Sequence, residues 1–322
     1  MKRGLSLCVC MAAMTITGAS FASENLRLGH VYTPDRRDHQ CADTLASRIF
    51  ELTEERYRIN VFPSSQLGGE GELHEGLALG SVDMAIITSP FLASAYDPIA
   101  LESAAFAFEG YDHWMRYADS ELRRDLAGGY FDAVGNMLVS VHYQGAWHVL
   151  SNEPIERPED MRGLRMRVPD AEPWLLFPRA VGAEPAPIAY AESYLALQQN
   201  VVDIIDQGLA GAMTMQFHEV RPVINQTGHL IIAANTVIGA PLWNRLSEED
   251  REIFAEAARE TANECSALVM EDEEELLDRF RDLNATLVEV DREAFVAAVE
   301  GFVEQNPVRW SDDDYERLQE LR

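Results

Sequence analysis

The chain has 322 residues, of which 47% are hydrophobic and 25% are charged, and its formal net charge at pH 7 is −28. A surface this acidic excludes a nucleic-acid-binding role, because phosphate binding needs a cationic surface. Beyond the first two dozen residues about 300 remain, enough for two domains with ample cores.

The N-terminus has the pattern of a secretory signal peptide. Lys2 and Arg3 precede an apolar run, Leu5–Ile16, and small residues follow around Ala22. A membrane-spanning helix would need roughly 18 or more apolar residues, and this run is shorter. We therefore expect export to the periplasm and cleavage near Ala22, which removes residues 1–22.

The segment after the leader alternates short strands and helices. The predicted elements are a strand at Leu26–Val31, a helix from about Asp38 to Arg56, a strand at Arg58–Phe62, a helix at Glu70–Leu79 and a strand at Val82–Thr88. The helices have apolar residues at helical spacing, and the strands are short apolar runs. This order predicts an α/β sheet with crossover helices.

A second α/β block begins after Met137–His142. Its predicted strands are Leu164–Val168, Val201–Asp206 and His229–Ala234, with helices near Ala171–Ala180 and Ala191–Asn200. The strand at His229–Ala234 is expected to return the chain towards the first block. Several crossings of this kind indicate a hinge between two lobes.

The last third of the chain is mostly helical. Ser247, with an acid three residues later at Asp250, forms a capping-box pattern that predicts the start of a helix. The helical pattern then continues almost without Gly or Pro to about Leu283. A helix of this length is able to brace both lobes.

The common motifs for catalysis and for metal or cofactor binding are absent from the sequence, although enzymes that use carboxylates need no motif. The eight histidines include no HExxH motif and accompany no CxxC motif, so the spacing of a zinc site is missing. There is neither a GxSxG elbow nor a GxxxxGK[ST] phosphate loop, and Gly68–Gly71 lacks the third glycine of a dinucleotide fingerprint. We therefore expect no cofactor and no metal.

Two cysteines lie beyond the leader, Cys41 and Cys265, far apart in the sequence. An oxidising periplasm would allow them to form a disulfide. The sequence does not decide the matter, and we expect two unlinked buried thiols rather than a bond.

The segment Arg157–Pro169 places several cations within a strand-like run. Arg165 and Arg167 fall on the same face of that strand by its period of two. A guanidinium near the end of a strand, facing a cleft, binds a carboxylate with two parallel hydrogen bonds. The residue pattern fits two solvent-facing edge charges equally well.

Three blocks of the sequence resemble one family of transport proteins. In chain order they read PSSQLGGEGELHEGLALGSVDMA, RPEDMRGLRMRVP and VGAEPAPIAYAESYLALQQNVVD. Ordered blocks of this kind are similar to those of the solute-binding proteins of tripartite ATP-independent periplasmic (TRAP) transporters. The likeness covers nearly the whole chain beyond the leader.

The resemblance implies an α/β, two-lobed periplasmic-binding-protein-like fold with a ligand cleft between the lobes and a long C-terminal helix bracing both. We expect a monomeric binding protein without enzyme activity. The protein would capture a small organic ligand and deliver it to the membrane permease subunits, with transport driven by an ion gradient. We assign residues 23–144 and about 233–272 to lobe I, and residues 145–232 and about 273–322 to lobe II.

The resemblance also indicates ligand-binding residues. The near-universal ligand arginine of the family matches Arg167 and not Arg165. Glu70 at a helix start, Thr88 at a strand end and Tyr190 before a helix match other pocket positions.

The chain departs from the family pattern at three positions. Gln207 stands where the family has a ligand-binding Asn, and Val31 occupies a first-strand position that is often polar. Trp147 lies where many members have a second Arg, so a second cationic contact is expected to be absent. Trp147 is then either a wall of the cleft, which we favour, or part of the hinge packing.

A small hydroxylated monocarboxylate, such as a sugar acid, is the leading ligand hypothesis. Arg167 would bind the carboxylate, while Glu70, Thr88 and Gln207 would bind hydroxyl groups. With Asp206 as a further acid nearby, a dicarboxylate is disfavoured, because its second charge would be desolvated without a partner.

Two alternatives remain open. An amine or zwitterionic osmolyte would pair its ammonium with the acids and lie against Trp147 and Tyr190 by cation–π contact. A protein of a different class, a periplasmic hydrolase or lyase, would use Glu70 and Asp206 as acid and base. The missing catalytic motifs argue against the enzyme.

Overall fold

The computed structural model describes residues 23–322, so the leader and cleavage site predicted for residues 1–22 lie outside the described residues. Nine strands are present in this range: β1 Glu24–Gly29, β2 Tyr57–Phe62, β3 Met84–Thr88, β4 Met137–Ser151, β5 Arg165–Val168, β6 Glu184–Pro187, β7 Ile204–Gly208, β8 Val223–Ile238 and β9 Thr286–Val288. They form one mixed sheet in the order β2-β1-β3-β8-β4-β7-β5-β6, with β9 beside β8.

Helices cover the faces of this sheet. They are α1 Arg37–Leu52, α2 Glu70–Leu79, α3 Ser89–Leu92, α4 Tyr111–Ala118, α5 Glu121–Val134, α6 Leu176–Ala180, α7 Ser193–Gln198, α8 Leu209–Thr214, α9 Phe217–Val220, α10 Ala240–Arg245, α11 Glu248–Asp282, α12 Arg292–Val303 and α13 Asp312–Gln319. Short 3₁₀ helices occur at Asp97–Ser103, Pro158–Met161, Glu172–Leu175 and Tyr190–Glu192. Between residues 23 and 322, no helix combines the length and apolar character that crossing a bilayer requires.

Two long antiparallel strands, β4 and β8, belong to both lobes. The second half of β8 pairs with β3 in lobe I, whereas the second half of β4 pairs with β7 and the first half of β8 with β9 in lobe II. The β4–β8 register shifts between Tyr143 and Ala146, where Gly145 has a φ of +92°. A bulge of this kind bends a strand. The predicted two-lobed α/β fold is confirmed, and the bulge lies beside the proposed lobe boundary at residues 144–145.

The polar residues of β8 explain why its first part was not predicted as a strand. Asn225 is fully buried, and its side-chain amide donates to Val149 O at 3.0 Å and to Ser151 Oγ at 2.8 Å. Thr227 and His229 are also fully buried, and their side chains contact each other. Buried polar groups that bond within the core remove the apolar pattern by which a strand is recognised.

Helix α1 is shorter than predicted. It ends at Leu52, four residues before the predicted end at Arg56. Glu54 and Glu55 have φ angles of 49° and 66°, a left-handed conformation that a right-handed helix does not contain. The turn redirects the chain into β2.

Helix α11 begins at the predicted cap and packs on both lobes. The Ser247 hydroxyl accepts a hydrogen bond from the backbone N–H of Asp250 at 3.1 Å. The helix contacts α1 of lobe I, the crossover strand β4, and α8 of lobe II. Arg37 binds Asp272 through two nitrogens at 2.6 and 2.9 Å and so ties α1 to the C-terminal half of α11.

A disulfide between Cys41 and Cys265 joins α1 to α11, so the expectation of two unlinked thiols is wrong. Cys41 lies on the face of α1 that packs on α11, and the two Cα atoms are 6.0 Å apart, within disulfide range. The sequence could not reveal this pairing, because it depends on the packing of two helices that are 224 residues apart.

Removing this disulfide is expected to lower the free energy of unfolding by about 2–4 kcal/mol, because the unfolded chain gains the entropy of an open loop. The double variant Cys41→Ala, Cys265→Ala is compared with the oxidised protein by urea denaturation. Reductant should lower the midpoint of the wild type and leave that of the variant unchanged. Equal midpoints for oxidised and reduced wild type would contradict the expectation.

The last two helices pack on different lobes. Phe295 and Val299 of α12 lie in the core of lobe II, whereas Leu318 of α13 packs with α4 and α5 of lobe I. His113 of α4 donates from Nε2 to the Leu318 carbonyl at 2.9 Å. The assignment of residues 273–322 to lobe II therefore needs correction from α13 onwards. The linker between the helices contains Arg309, whose guanidinium contacts Asp97 and Glu172 of the two lobes.

Candidate functional site

A cavity of about 360 Å³ lies between the lobes, where β3, β5 and β7 end. Side chains of both lobes line it. Six of the seven residues predicted from the sequence are among them: Glu70, Thr88, Trp147, Arg167, Tyr190 and Gln207. Lining residues that the sequence analysis missed include Tyr32, Arg36, Phe91, Gln144 and Trp174.

Arg167 is the buried cation of this cavity. It is 1% exposed, and its Nε and Nη2 donate to the Ile188 carbonyl at 3.0 and 2.8 Å. Its third nitrogen, Nη1, is buried with no hydrogen-bond partner in the described part of the chain. Burial lowers the pKa of Arg167 to about 10, with Asp206 and Tyr190 opposing the shift, so the group stays cationic at neutral pH.

Arg165 has a different environment, although it precedes Arg167 by one period of the strand. It starts β5, and its side chain is 44% exposed. Its Nε and Nη2 bind the Asp203 carboxylate at 2.9 and 2.7 Å. The two arginines therefore differ in depth, and only Arg167 reaches the cavity.

Glu70 places a carboxyl group across from Arg167. It is the first residue of α2, and its Oε1 accepts a hydrogen bond of 2.6 Å from the backbone N–H of Thr88. Burial raises the pKa of Glu70 to about 7, while the hydrogen bond from the Thr88 backbone N–H and the charge of Arg167 oppose the shift. Near neutral pH this group is able both to donate and to accept hydrogen bonds.

The raised pKa of Glu70 predicts a pH dependence of stability. The folded protein binds a proton at Glu70 between the unfolded pKa of 4.5 and the folded value of about 7, so this group favours the folded state at low pH. That contribution is lost as the pH rises through about 7. The ligand-free variant Glu70→Gln should therefore gain stability relative to the wild type from about pH 5 to about pH 8 in urea denaturation. Glu75→Gln, an exposed change on the same helix, serves as control, and parallel pH profiles for wild type and Glu70→Gln would contradict the assignment.

Hydroxyl groups of the cavity residues also lack protein partners. Tyr32 Oη, Thr88 Oγ1 and Tyr190 Oη are each buried without a hydrogen bond among the described residues. Unpaired buried polar groups are unfavourable, and a bound polar molecule or water would satisfy them. The cavity therefore presents several hydrogen-bonding groups around one cation.

A second guanidinium, that of Arg36, contributes to the lining and corrects the expectation that a second cationic contact is absent. Arg36 is 6% exposed and lies in the turn before α1. Its Nε and Nη2 donate to Asp38 Oδ2 at 2.9 and 2.7 Å. Arg36 differs from Arg167 in that its charge is neutralised by an ion pair with Asp38. The turn has no periodic pattern from which the position could have been predicted.

Two indole rings form the apolar wall. Trp147 of β4 stacks on Trp174 with ring centroids 4.8 Å apart, and both rings line the cavity. Gln207 lies beside them, and its Oε1 accepts from the backbone N–H of Gly208 at 3.0 Å. Val31 also lines the cavity, two residues beyond the end of β1, which stops at Gly29 and not at the predicted Val31.

Asp206 does not line this cavity. Neighbouring residues of a strand point to opposite faces, so Asp206 faces away where Gln207 faces the cleft. Its Oδ2 lies 3.2 Å from His229 Nε2 in the core of lobe II. Glu70 and Asp206 therefore do not share a cavity, as an acid and base pair would need to. Between residues 23 and 322, no group of three or more His, Cys, Asp or Glu side chains is placed to hold a metal ion.

Comparison with known proteins identifies relatives of one kind, bacterial solute-binding proteins. Residues 28–306 match the family described as bacterial extracellular solute-binding protein, family 7. A solute-binding protein of Roseobacter denitrificans is 30% identical over 305 residues, which are 94% of this chain and 93% of the relative.

Solved structures show the same similarity. A TRAP periplasmic solute-binding protein of Roseobacter denitrificans with bound L-galactonate superposes with a TM-score of 0.86 at 29% identity, covering 92% of this chain and 98% of the other. A TRAP periplasmic solute-binding protein of a Polaromonas species, bound to D-erythronate, has a TM-score of 0.85 at 27% identity, covering 92% and 97%.

Proposed function

The chain belongs to family 7 of the bacterial extracellular solute-binding proteins, and on that premise we propose that it captures a sugar-acid monocarboxylate for a TRAP transporter. The carboxylate binds Arg167, and hydroxyl groups bind the polar residues around it. The observation behind this proposal is the buried Arg167 Nη1, which has no partner in the described part of the chain and belongs to a cavity-lining side chain.

The charges of the cavity favour a single carboxylate. Arg36 is neutralised by Asp38, and no carboxylate between residues 23 and 322 lies within ion-pair distance of Arg167. One cation therefore remains for the ligand. Two parallel hydrogen bonds from Arg167 Nη1 and Nη2 fit a carboxylate better than any neutral group.

The remaining polar groups favour a hydroxylated chain on that carboxylate. Glu70, Thr88, Tyr190 and Gln207 provide donors and acceptors, and the Trp147–Trp174 wall packs against the carbon atoms. The two relatives with solved structures support the assignment, because L-galactonate and D-erythronate are both monocarboxylates with several hydroxyl groups. An amine would place its positive charge next to that of Arg167 and is disfavoured.

The proposed role is transport without chemical change. The protein acts in the periplasm as a monomer, after cleavage near Ala22, and delivers its ligand to the permease subunits. The cleft between two lobes that share β4 and β8 supports closure around the ligand.

Calorimetry with L-galactonate, D-gluconate, succinate and ectoine tests this proposal. We expect one-to-one binding of at least one of the two sugar acids, and recovery of the compound unchanged after release. Tight binding of ectoine with no response to either sugar acid would contradict the ligand class. Turnover of any bound compound would contradict the role as a binding protein.

A further inference from the structure

The two guanidinium groups of the cavity differ in their counter-charges. Arg167 donates to a backbone carbonyl and, among residues 23–322, has no carboxylate within ion-pair distance. Arg36 is bound through two of its nitrogens to Asp38, a side chain that does not itself line the cavity. A ligand in the cleft therefore meets Arg167, which has no ion pair at contact distance among residues 23–322, and Arg36, which is ion-paired with Asp38.

Asp38 is fixed in place from both sides. Its Oδ2 accepts the two hydrogen bonds from Arg36, and its Oδ1 accepts from His142 Nε2 at 3.1 Å and from Gln144 Nε2. Only 1% of the residue is exposed. With both oxygens bonded within a packed interior, the carboxylate is unable to turn away when a ligand enters.

The charge of Asp38 persists at physiological pH. Burial alone would raise its pKa, but the charge of Arg36 and the hydrogen bond from His142 outweigh burial and hold the pKa of Asp38 below its usual range. The ion pair is therefore a constant feature of the cleft under conditions in which the protein works.

The geometry also shows which part of Arg36 is left for a ligand. A β-carbon added at Gly211 would lie 2.7 Å from Arg36 Nη1 and 2.7 Å from Gln207 Cδ, so this nitrogen reaches lobe II beside Gln207. A neutral pair of this kind accommodates a hydroxyl group, which exchanges hydrogen bonds without bringing a net charge.

Resting on the proposed function, we propose that Asp38 determines ligand charge: by neutralising Arg36 it restricts the cleft to ligands with one carboxylate. A second carboxylate at the Arg36 end of the cleft would be desolvated beside the fixed negative charge of Asp38. Where water is excluded, the negative charges of this carboxylate and of Asp38 repel each other strongly. Nothing then compensates the cost of desolvating the carboxylate. Sugar dicarboxylates are therefore rejected through a residue that they do not touch.

The test compares L-galactonate with galactarate, which has the same six-carbon chain and a second carboxylate in place of the terminal alcohol. Calorimetry gives the ratio of the two dissociation constants. The wild type is expected to prefer L-galactonate, and Asp38→Asn, which removes the negative charge at nearly constant shape, should reduce that preference at least about tenfold.

The Asp38→Asn measurement has a matched control and a second variant. Asp250 is also buried and bound by an arginine, Arg56 at 2.6 Å, but lies outside the cavity, so Asp250→Asn should leave the ratio within about twofold of the wild type. Arg36→Gln removes the cation at that end of the cleft and should shift the ratio further towards L-galactonate. If Asp38→Asn does not fold, an unchanged ratio in Arg36→Gln still overturns the proposal, because the Arg36–Asp38 pair would then have no influence on ligand charge.

Each outcome has a distinct meaning. A folded Asp38→Asn protein with the wild-type ratio, or an Arg36→Gln protein whose ratio is unchanged, overturns the role of Asp38. A wild type that binds both compounds equally also overturns it, while the proposed function stands. A wild type that binds neither compound nor any other sugar acid contradicts the proposed function itself.

Discussion

Replacing Arg167 with alanine is expected to weaken binding of the sugar acid at least about thirtyfold, because removing one partner of a buried, hydrogen-bonded charge pair costs roughly 2–5 kcal/mol. The cost has two parts. The ligand carboxylate is left desolvated without a cation, and the Ile188 carbonyl, which accepts two hydrogen bonds from Arg167, is left without them. Calorimetry with L-galactonate measures the change.

The lysine variant distinguishes charge from shape. Arg167 binds the Ile188 carbonyl on one side while its Nη1 remains unbonded within the described chain, an arrangement that requires a planar fork of donors. A lysine ammonium supplies the charge from a single point, so Arg167→Lys should restore little affinity.

Arg165→Ala is the matched control for both changes. It removes an arginine of the same strand whose guanidinium binds Asp203 at the surface, and surface pairs contribute about 0–1 kcal/mol. Affinity should therefore stay near the wild-type value. The assignment of the ligand arginine fails if Arg165→Ala abolishes binding while Arg167→Ala leaves it unchanged.

Replacing Arg123 with methionine is expected to lower the free energy of unfolding by about 3–5 kcal/mol, because it leaves a buried carboxylate without its cation. Glu102 is fully buried, and its Oε1 lies 2.9 Å from Arg123 Nε and accepts from Tyr117 Oη at 2.7 Å. Arg123 Nη2 also donates to Asn235 at 2.6 Å. One side chain thus joins α5, β8 and the 3₁₀ helix before α4.

The neighbouring residue provides the control. Arg124 lies on the same helix, is exposed, and its side chain donates to the Asp119 carbonyl. Arg124→Met should change stability by less than about 0.5 kcal/mol in the same urea experiment, as surface substitutions do. Equal destabilisation by the two variants would show that the ion pair between Glu102 and Arg123 contributes little to stability.

The sequence predicted those parts of the fold that have a local signal. The strand predicted at Val82–Thr88 and the helix start predicted at Ser247 occur as β3 and α11, because burial and capping leave a pattern in a few neighbouring residues. The disulfide, the early start of β8 and the position of α13 had no such signal. Each depends on contacts between segments that are distant in the chain.

The same distinction applies to the site. Arg167 came from a family pattern, whereas Arg36 lies in an irregular turn and becomes part of the cavity only through tertiary packing. Asp206 was predicted from its residue type next to Gln207, yet two adjacent residues of one strand do not face the same cleft. The period of two in β7 already contained that information.

The position of helix α13 has a consequence for when lobe I is able to complete its folding. The core of lobe I is completed by Leu318, which packs against side chains some two hundred positions earlier, and the Leu318 carbonyl is the partner of His113. Closing so long a loop is entropically unfavourable until its contacts form, and non-local contacts of this kind slow folding. A chain synthesised from its N-terminus cannot finish its first lobe before its last dozen residues exist. The contacts of α13 with α4 and α5 therefore form only after the last residues of the chain have been synthesised.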